Sequence, residues 1–162
     1  ALDILGRIEA YDISNISGTS AVGSMVVCLN GDLVPAEYRR FKIRTVFGAN
    51  DIAMMNELLR RRLSPKNRAR WSDPDLIVID GGIAQVRVGA KIIREYGLET
   101  PLVGIAKGHD RKQDLLVFDH ENKSWRQVCE KNKAVLQLAR DQAHHFAVSY
   151  HRRLRTKQFL GK

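Results

Sequence analysis

Apolar positions alternate or run continuously in short stretches over the first part of the chain, then recur at helical spacing. Arg7–Ser14 (RIEAYDIS) predicts a first strand, and Ala21–Leu29 a second, with a turn-like segment around Gly18 between them. Asn30-Gly31-Asp32 is a strong hairpin signal, so the chain should reverse there into Leu33-Val34 and a third strand, Tyr38–Val46. In that run Tyr38, Arg40, Lys42 and Arg44 fall on one face, which predicts a wet or ligand-facing side. Asn50 is placed to cap a helix in which Ile52, Met55, Leu58, Leu59 and Leu63 recur. Ser64–Pro74 is polar and basic and reads as a loop. Asp75–Asp80 (DLIVID) is a continuous apolar run of the kind found in buried central strands, broken by Gly81-Gly82. A second helix, Ile83–Tyr96, should stop at Gly97, and Pro101–Ala106 is another buried strand. Asp114–Asp119 and Ser124–Val128 read as short strands of a hairpin around His120-Glu121-Asn122. A long helix, Lys133–Lys157, closes the pattern, with Val135, Leu138 and Phe146 expected on its core-facing side. Strands first, then strands linked by helices, imply an α/β fold: a mixed sheet flanked by helices, with an additional small hairpin.

Length and charge narrow the class. A chain of 162 residues fits one domain, residues 1–162. With 27 Lys+Arg against 18 Asp+Glu, the net charge is +9, which favours a polyanionic partner. A membrane surface fits less well than nucleic acid, since no apolar run approaches the roughly 20 residues of a spanning helix and no signal peptide is visible. Cys28 lies in an apolar run, and Cys129 follows Val128. Without a C-x-x-C or a nearby histidine pair they argue against zinc, and a reducing cytoplasm is the expected compartment.

The chemistry concentrates at strand ends. Asp12 and Asp80 each close a predicted strand, where ligands gather in sheets with parallel strands. Two carboxylates side by side repel each other, and a bound divalent cation removes that penalty. Oxygen ligands suit Mg²⁺ or Mn²⁺. Each aspartate alone is explained as well by a turn cap. On the last helix Arg140, His144, His151 and Arg155 fall near one stripe suited to phosphate contact, proton transfer or metal ligation, or else to a solvated basic face. His145 reads as a surface partner of Asp141. Lys107 would sit at the same sheet edge as the aspartates. Asp51, in a first helical turn, is accounted for by the helix dipole. Trp71 and Trp125 are candidates for base stacking or for local packing.

Six segments, in order, resemble one family: IEAYDISNISGT (Ile8–Thr19), EYRRFKI (Glu37–Ile43), NDIAMMNELLRRR (Asn50–Arg62), PDLIVIDGG (Pro74–Gly82), GIAKG (Gly104–Gly108) and RDQAHHFAVSYHR (Arg140–Arg152). They resemble the C-terminal endonuclease domain of UvrC, the incision subunit of bacterial nucleotide excision repair. The resemblance implies a ribonuclease H-like fold and an active centre of two aspartates and a histidine. By motif these are Asp12, Asp80 and His144, holding Mg²⁺ or Mn²⁺, with Asp51 a supporting carboxylate. It also implies incision on the 5′ side of a lesion in double-stranded DNA, in the company of the damage-recognition subunits UvrA and UvrB. Tyr38, Arg39, Arg40, Lys107, Arg140 and Arg152 are the candidate contacts to the DNA backbone. Two departures stand out. Ile83 occupies the place after Asp80-Gly81-Gly82 where the family commonly has lysine, and His109–Gln127 is unfamiliar. The chain is expected to be a monomeric fragment of a larger protein. The competing expectations are a non-catalytic DNA-docking module of the same fold and an enzyme acting on RNA–DNA hybrids.

Overall fold

The computed structural model describes residues 6–16, 20–46, 48, 50–107 and 113–160. Strand β1 (Arg7–Ile16) lies at the centre of a seven-stranded mixed sheet. On one side it pairs antiparallel with β2 (Ser20–Leu29), whose outer edge is shared by β3 (Asp32–Leu33) and β4 (Arg39–Lys42). On the other side come β5 (Leu76–Asp80) and β6 (Leu102–Lys107), both parallel to β1 in sense, and then antiparallel β7 (Asp114–Val117). The expected mixed sheet is therefore present. The β2–β3 turn has Asn30 at φ 52° and Gly31 at φ 88°, the paired left-handed residues that a tight hairpin requires.

Helices cover both faces. Helices α1 (Asp51–Arg62) and α3 (Ile83–Glu95) pack on one face against Tyr11, Met25, Val27, Ile77 and Ile79. Helix α5 (Lys133–Leu160) covers the other, over Ile8, Ala10, Val26, Val78 and Ile105. Alternation along each strand sorts its residues between the two cores, so a residue's parity decides which layer it meets. Asn50 caps α1 as its sequence predicts, accepting from the Ala53 N–H at 3.0 Å.

Four expectations need correction. The supposed loop after α1 contains a short helix, α2 (Pro65–Arg70), with Ser64 before it and proline in its first turn. Only the first half of the predicted small hairpin is a strand. Lys123–Lys131 forms helix α4 instead, capped by the Asn122 side chain on the Trp125 N–H at 3.0 Å, so Cys129 is helical. The third strand stops at Lys42 rather than Val46. Leu138 is exposed, because α5 meets the sheet through Leu136, Ala139, Ala143 and Ala147. Small alanines let the helix axis approach the sheet closely.

Another close approach lies beside the end of β5. A Cβ on Gly104 would fall 2.4 Å from Val86 Cγ2 and 2.8 Å from the Gly81 carbonyl oxygen. Backbone cannot yield there as a flexible side chain could. Gly104→Ala is expected to cost about 1–3 kcal/mol and to displace the turn that follows Asp80. Urea unfolding measures the first effect; a wild-type midpoint would refute it.

Candidate functional site

The parallel register places the two aspartates side by side. Ile8 pairs with Leu76 and Ala10 with Val78, so two residues further on Asp12 lies beside Asp80. Even-numbered residues of both strands face α5, and the aspartates share that face at the carboxyl ends of the strands. The alanine stripe of α5 then carries His144 to them: its Nδ1 lies 3.1 Å from Asp12 Oδ2. One carboxylate oxygen from each aspartate and one ring nitrogen of His144 all lie within 4.8 Å of one another. The three residues, distant in sequence, meet.

Electrostatics at the cluster are unfavourable to bare carboxylates. Burial, then the neighbouring Asp80, push the Asp12 carboxyl up to about 6, with His144 pulling the other way. Burial also raises Asp80, against the pull of Arg140, His144 and Lys107. Two desolvated carboxylates and one imidazole form a donor set that fits a small divalent cation.

This arrangement carries a stability cost that can be measured. A carboxyl raised on folding favours the native state below its unfolded pKa, and that advantage is lost as pH rises through about 6. The metal-free protein should therefore lose stability between about pH 4 and 6 through this group. Asp12→Asn should restore roughly 2–3 kcal/mol at pH 7, and Mn²⁺ should raise the wild-type melting temperature. Calorimetric melts at pH 5–8 in chelator give the sign; an Asn variant melting below wild type at pH 7 would contradict it.

Around the cluster stands a cationic wall. A cleft of about 310 Å³ is lined by Asp80, Lys107, Arg140, Asp141 and His144. Arg140 Nη2 donates to Asp114 at 2.6 Å and its Nε to Asp141 at 2.7 Å, while Gln137 also donates to Asp114 at 3.0 Å. Asp114 pairs across β6–β7 with Lys107. Residue-by-residue reading missed Asp114 and Gln137 as supports for Arg140. The signal available was Asp114 opening a strand, and only the antiparallel register shows that it meets α5.

The other candidates separate from this centre. Asp51 is exposed in the first turn of α1 and lies outside the three-residue cluster. The expected wet face of β4 is wet only in part. Tyr38 packs edge-on to Phe146 at 5.2 Å and the Arg40 guanidinium lies 3.7 Å from the same ring, both half-buried under α5. Lys42 and Arg44 are exposed. Arg39 sits over Trp71 and donates to the Ala36 and Tyr38 carbonyls. Arg152 is exposed on α5; the side chains of His151 and Arg155, and Gly108, lie outside the described residues. Asp141 bonds Arg140, and His145 is exposed beside it. Trp71 and Trp125 pack against the two cores, as local anchors do. Both cysteines are free and buried, and burial pushes the Cys129 thiol up to about 12. No helix among the described residues is long and apolar enough to cross a membrane.

Comparison with known proteins supplies the context. The chain is 37% identical to UvrABC system protein C of Clostridium perfringens over 98% of its length, which is 29% of that protein. It is 43% identical to the protein of the same name from Methanococcoides burtonii, over 93% of this chain and 25% of that one. It thus spans about a quarter of these relatives. A Ciona intestinalis endonuclease V bound to inosine-containing DNA superposes on 65% of the chain and 47% of its own, with TM-score 0.47 and 19% identity, too loosely for residue correspondences. Residues 1–148 match the family described as the UvrC RNAse H endonuclease domain. The chain belongs to the UvrC ribonuclease H endonuclease domain family.

Proposed function

We propose that residues 1–162 act as one incision domain. It hydrolyses a DNA phosphodiester on the 5′ side of a lesion during nucleotide excision repair, with Mg²⁺ or Mn²⁺ held by Asp12, Asp80 and His144. The observation that carries this reading is the convergence of those three side chains within 4.8 Å at the carboxyl edge of the sheet. A cation bound there neutralises charge at the phosphoryl oxygens and acidifies water. The chain's own residues do the rest. Asp12 and Asp80 supply the negative charge that fixes the cation's place. The His144 ring is two-thirds exposed and hydrogen-bonded to Asp12, so it is oriented and still open to exchange a proton with solvent or substrate. Lys107 and Arg140 line the cleft and are suited to hold non-bridging phosphate oxygens. With Arg152 and the β4 residues Arg39 and Arg40, they would position the backbone without reading sequence. Tyr38 contributes by steadying α5. Asp51 is assigned a supporting part at the N-terminus of α1.

Within the intact protein, the partners proposed are a damaged DNA duplex and the damage-recognition subunits UvrA and UvrB, in the cytoplasm. The domain itself is proposed to be monomeric. The net charge of +9 would serve a docking module equally well, and one experiment separates the two. The intact protein is assayed on an end-labelled lesion duplex and on an RNA–DNA hybrid, with and without Mg²⁺ or Mn²⁺. Cation-dependent cutting 5′ of the lesion is expected. Binding without cutting would favour docking, and preferential cutting of the hybrid would reassign the substrate.

A further inference from the structure

On the opposite face of the sheet from Asp12 lies a larger cleft, of about 760 Å³, between β4, α1 and α2. Seven of its lining residues are Lys or Arg, and Glu57 is the single carboxylate among them. That carboxylate is committed. Glu57 accepts from the Arg44 N–H at 2.8 Å and from both the N–H and hydroxyl of Thr45 at 2.7 and 2.5 Å, with Arg61 at 3.5 Å. Burial pushes Glu57 up, but these bonds hold it below the usual carboxylate range. The cleft therefore keeps a strong positive excess. Arg44, Lys66 and Arg70 are exposed along it and form no ion pair among the described residues.

The occupant can be narrowed by chemistry. Trp71, the cleft's indole, already has the guanidiniums of Arg39, Arg62 and Arg70 within 5.5 Å of its ring. Its face is taken by cations rather than offered to a base. Asn56, Ser64 and Asn67 add neutral polar groups to the lining. Cations and neutral polar groups with no open aromatic platform suit phosphate oxygens, not stacked bases.

Position links the cleft to the acidic site. Asp12 pairs with Ser24, and Ser24 with Arg40, so Asp80, Asp12, Ser24 and Arg40 lie in one row across neighbouring strands. At about 4.8 Å per strand, the start of β4 is roughly 10 Å from Asp12. Beyond it the chain passes round the sheet edge to Arg44.

Given the DNA substrate proposed above, we infer that this cleft is a second track for the sugar-phosphate backbone, gripping duplex that flanks the incised bond. Duplex leaving the acidic site passes round the β4 edge and is held by Arg44, Lys66 and Arg70, independently of its sequence.

The test is equilibrium binding of a lesion-bearing duplex to the intact protein across a salt series, with Asp12→Asn throughout so that cutting does not intervene. Arg44→Gln, Lys66→Gln and Arg70→Gln together should weaken binding by roughly ten- to a hundredfold. They should also flatten the slope of log K against log salt by about 2–3, close to 0.9 per lost phosphate contact. A control removes the same charge elsewhere, at the exposed Arg87, Lys123 and Lys131, and should leave the slope within about 1 of the parent. An unchanged slope in the cleft variant, or an equal loss in the control, overturns the inference. So does intact DNA binding with lost association to a partner subunit, which would assign the cleft to an acidic protein. If the triple variant melts early, Arg44→Gln and Arg70→Gln singly carry the same test at about one unit of slope each. Incision persisting in Asp12→Asn would refute the acidic site and leave this measurement standing.

Discussion

Asp12→Asn or Asp80→Asn in the intact protein is expected to lower the rate of 5′ incision by at least about 10³-fold while duplex binding stays near wild type. The amide keeps the volume of the carboxyl and removes its charge. Losing one of two anionic ligands removes several kcal/mol of transition-state stabilisation, and each 1.4 kcal/mol is a factor of ten. Binding survives because the duplex is held by cations, and neutralising a carboxylate can only favour a polyanion. Incision kinetics on a lesion duplex with saturating Mg²⁺, beside a filter-binding isotherm, decide it. The loss could not be blamed on misfolding, since burial and repulsion raise both carboxyls and the metal-free Asn variants should melt higher than wild type. Lower activity with higher stability marks a functional carboxylate. A structural one would show both falling. Wild-type cutting by either variant would remove Asp12, Asp80 and His144 as the centre.

How far this site was legible is best seen residue by residue. Asp12 and Asp80 announce themselves by closing apolar strands, and the hydrophobic run before Asp80 fits burial on both faces. Their adjacency is not a local property, because it depends on β1 and β5 pairing in parallel with Ile8 opposite Leu76. His144 carries no periodic signal that separates it from His145; motif resemblance chose it, and the Asp12 hydrogen bond supports that choice. Elsewhere the hydrophobic pattern misled. The α5 contact stripe is mostly alanine, which a search for large apolar residues passes over in favour of Leu138. Ser64-Pro65 and Asn122 are ordinary helix-start signals. They were outweighed by the polar run after α1 and by the alternation of Trp125 with Gln127 in a segment of nine helical residues. Short helices offer too few turns for periodicity to override such local cues.

The largest expected stability effect lies at Glu9, which no local pattern marks. Glu9 is fully buried in β1 on the side away from Asp12, and Arg62 of α1 is fully buried against it. Arg62 Nε and Nη2 donate to its two carboxylate oxygens at 2.8 Å each, Arg7 Nε adds a third bond at 2.7 Å, and the Tyr11 hydroxyl donates to Oε1. Arg62 Nη2 also reaches the Ser72 carbonyl at 2.6 Å, tying the segment before β5 to the same pair. Burial works against the Arg62 charge, but the bonds to Glu9 more than offset it and its pKa is raised. Removing one partner leaves the other charge buried without compensation. Arg62→Met or Glu9→Leu alone should therefore cost about 3–5 kcal/mol, a large share of a typical domain's stability. The cost of forming the pair, however, is the desolvation of both ions. The double variant Glu9→Leu/Arg62→Met should recover much of the loss, leaving a residue from Arg7 and Tyr11, which also bond Glu9. Urea unfolding of the two singles and the double gives the coupling energy directly. Additive losses would mean that the two side chains act separately and that the anchor joining α1 to β1 beneath the acidic site lies elsewhere.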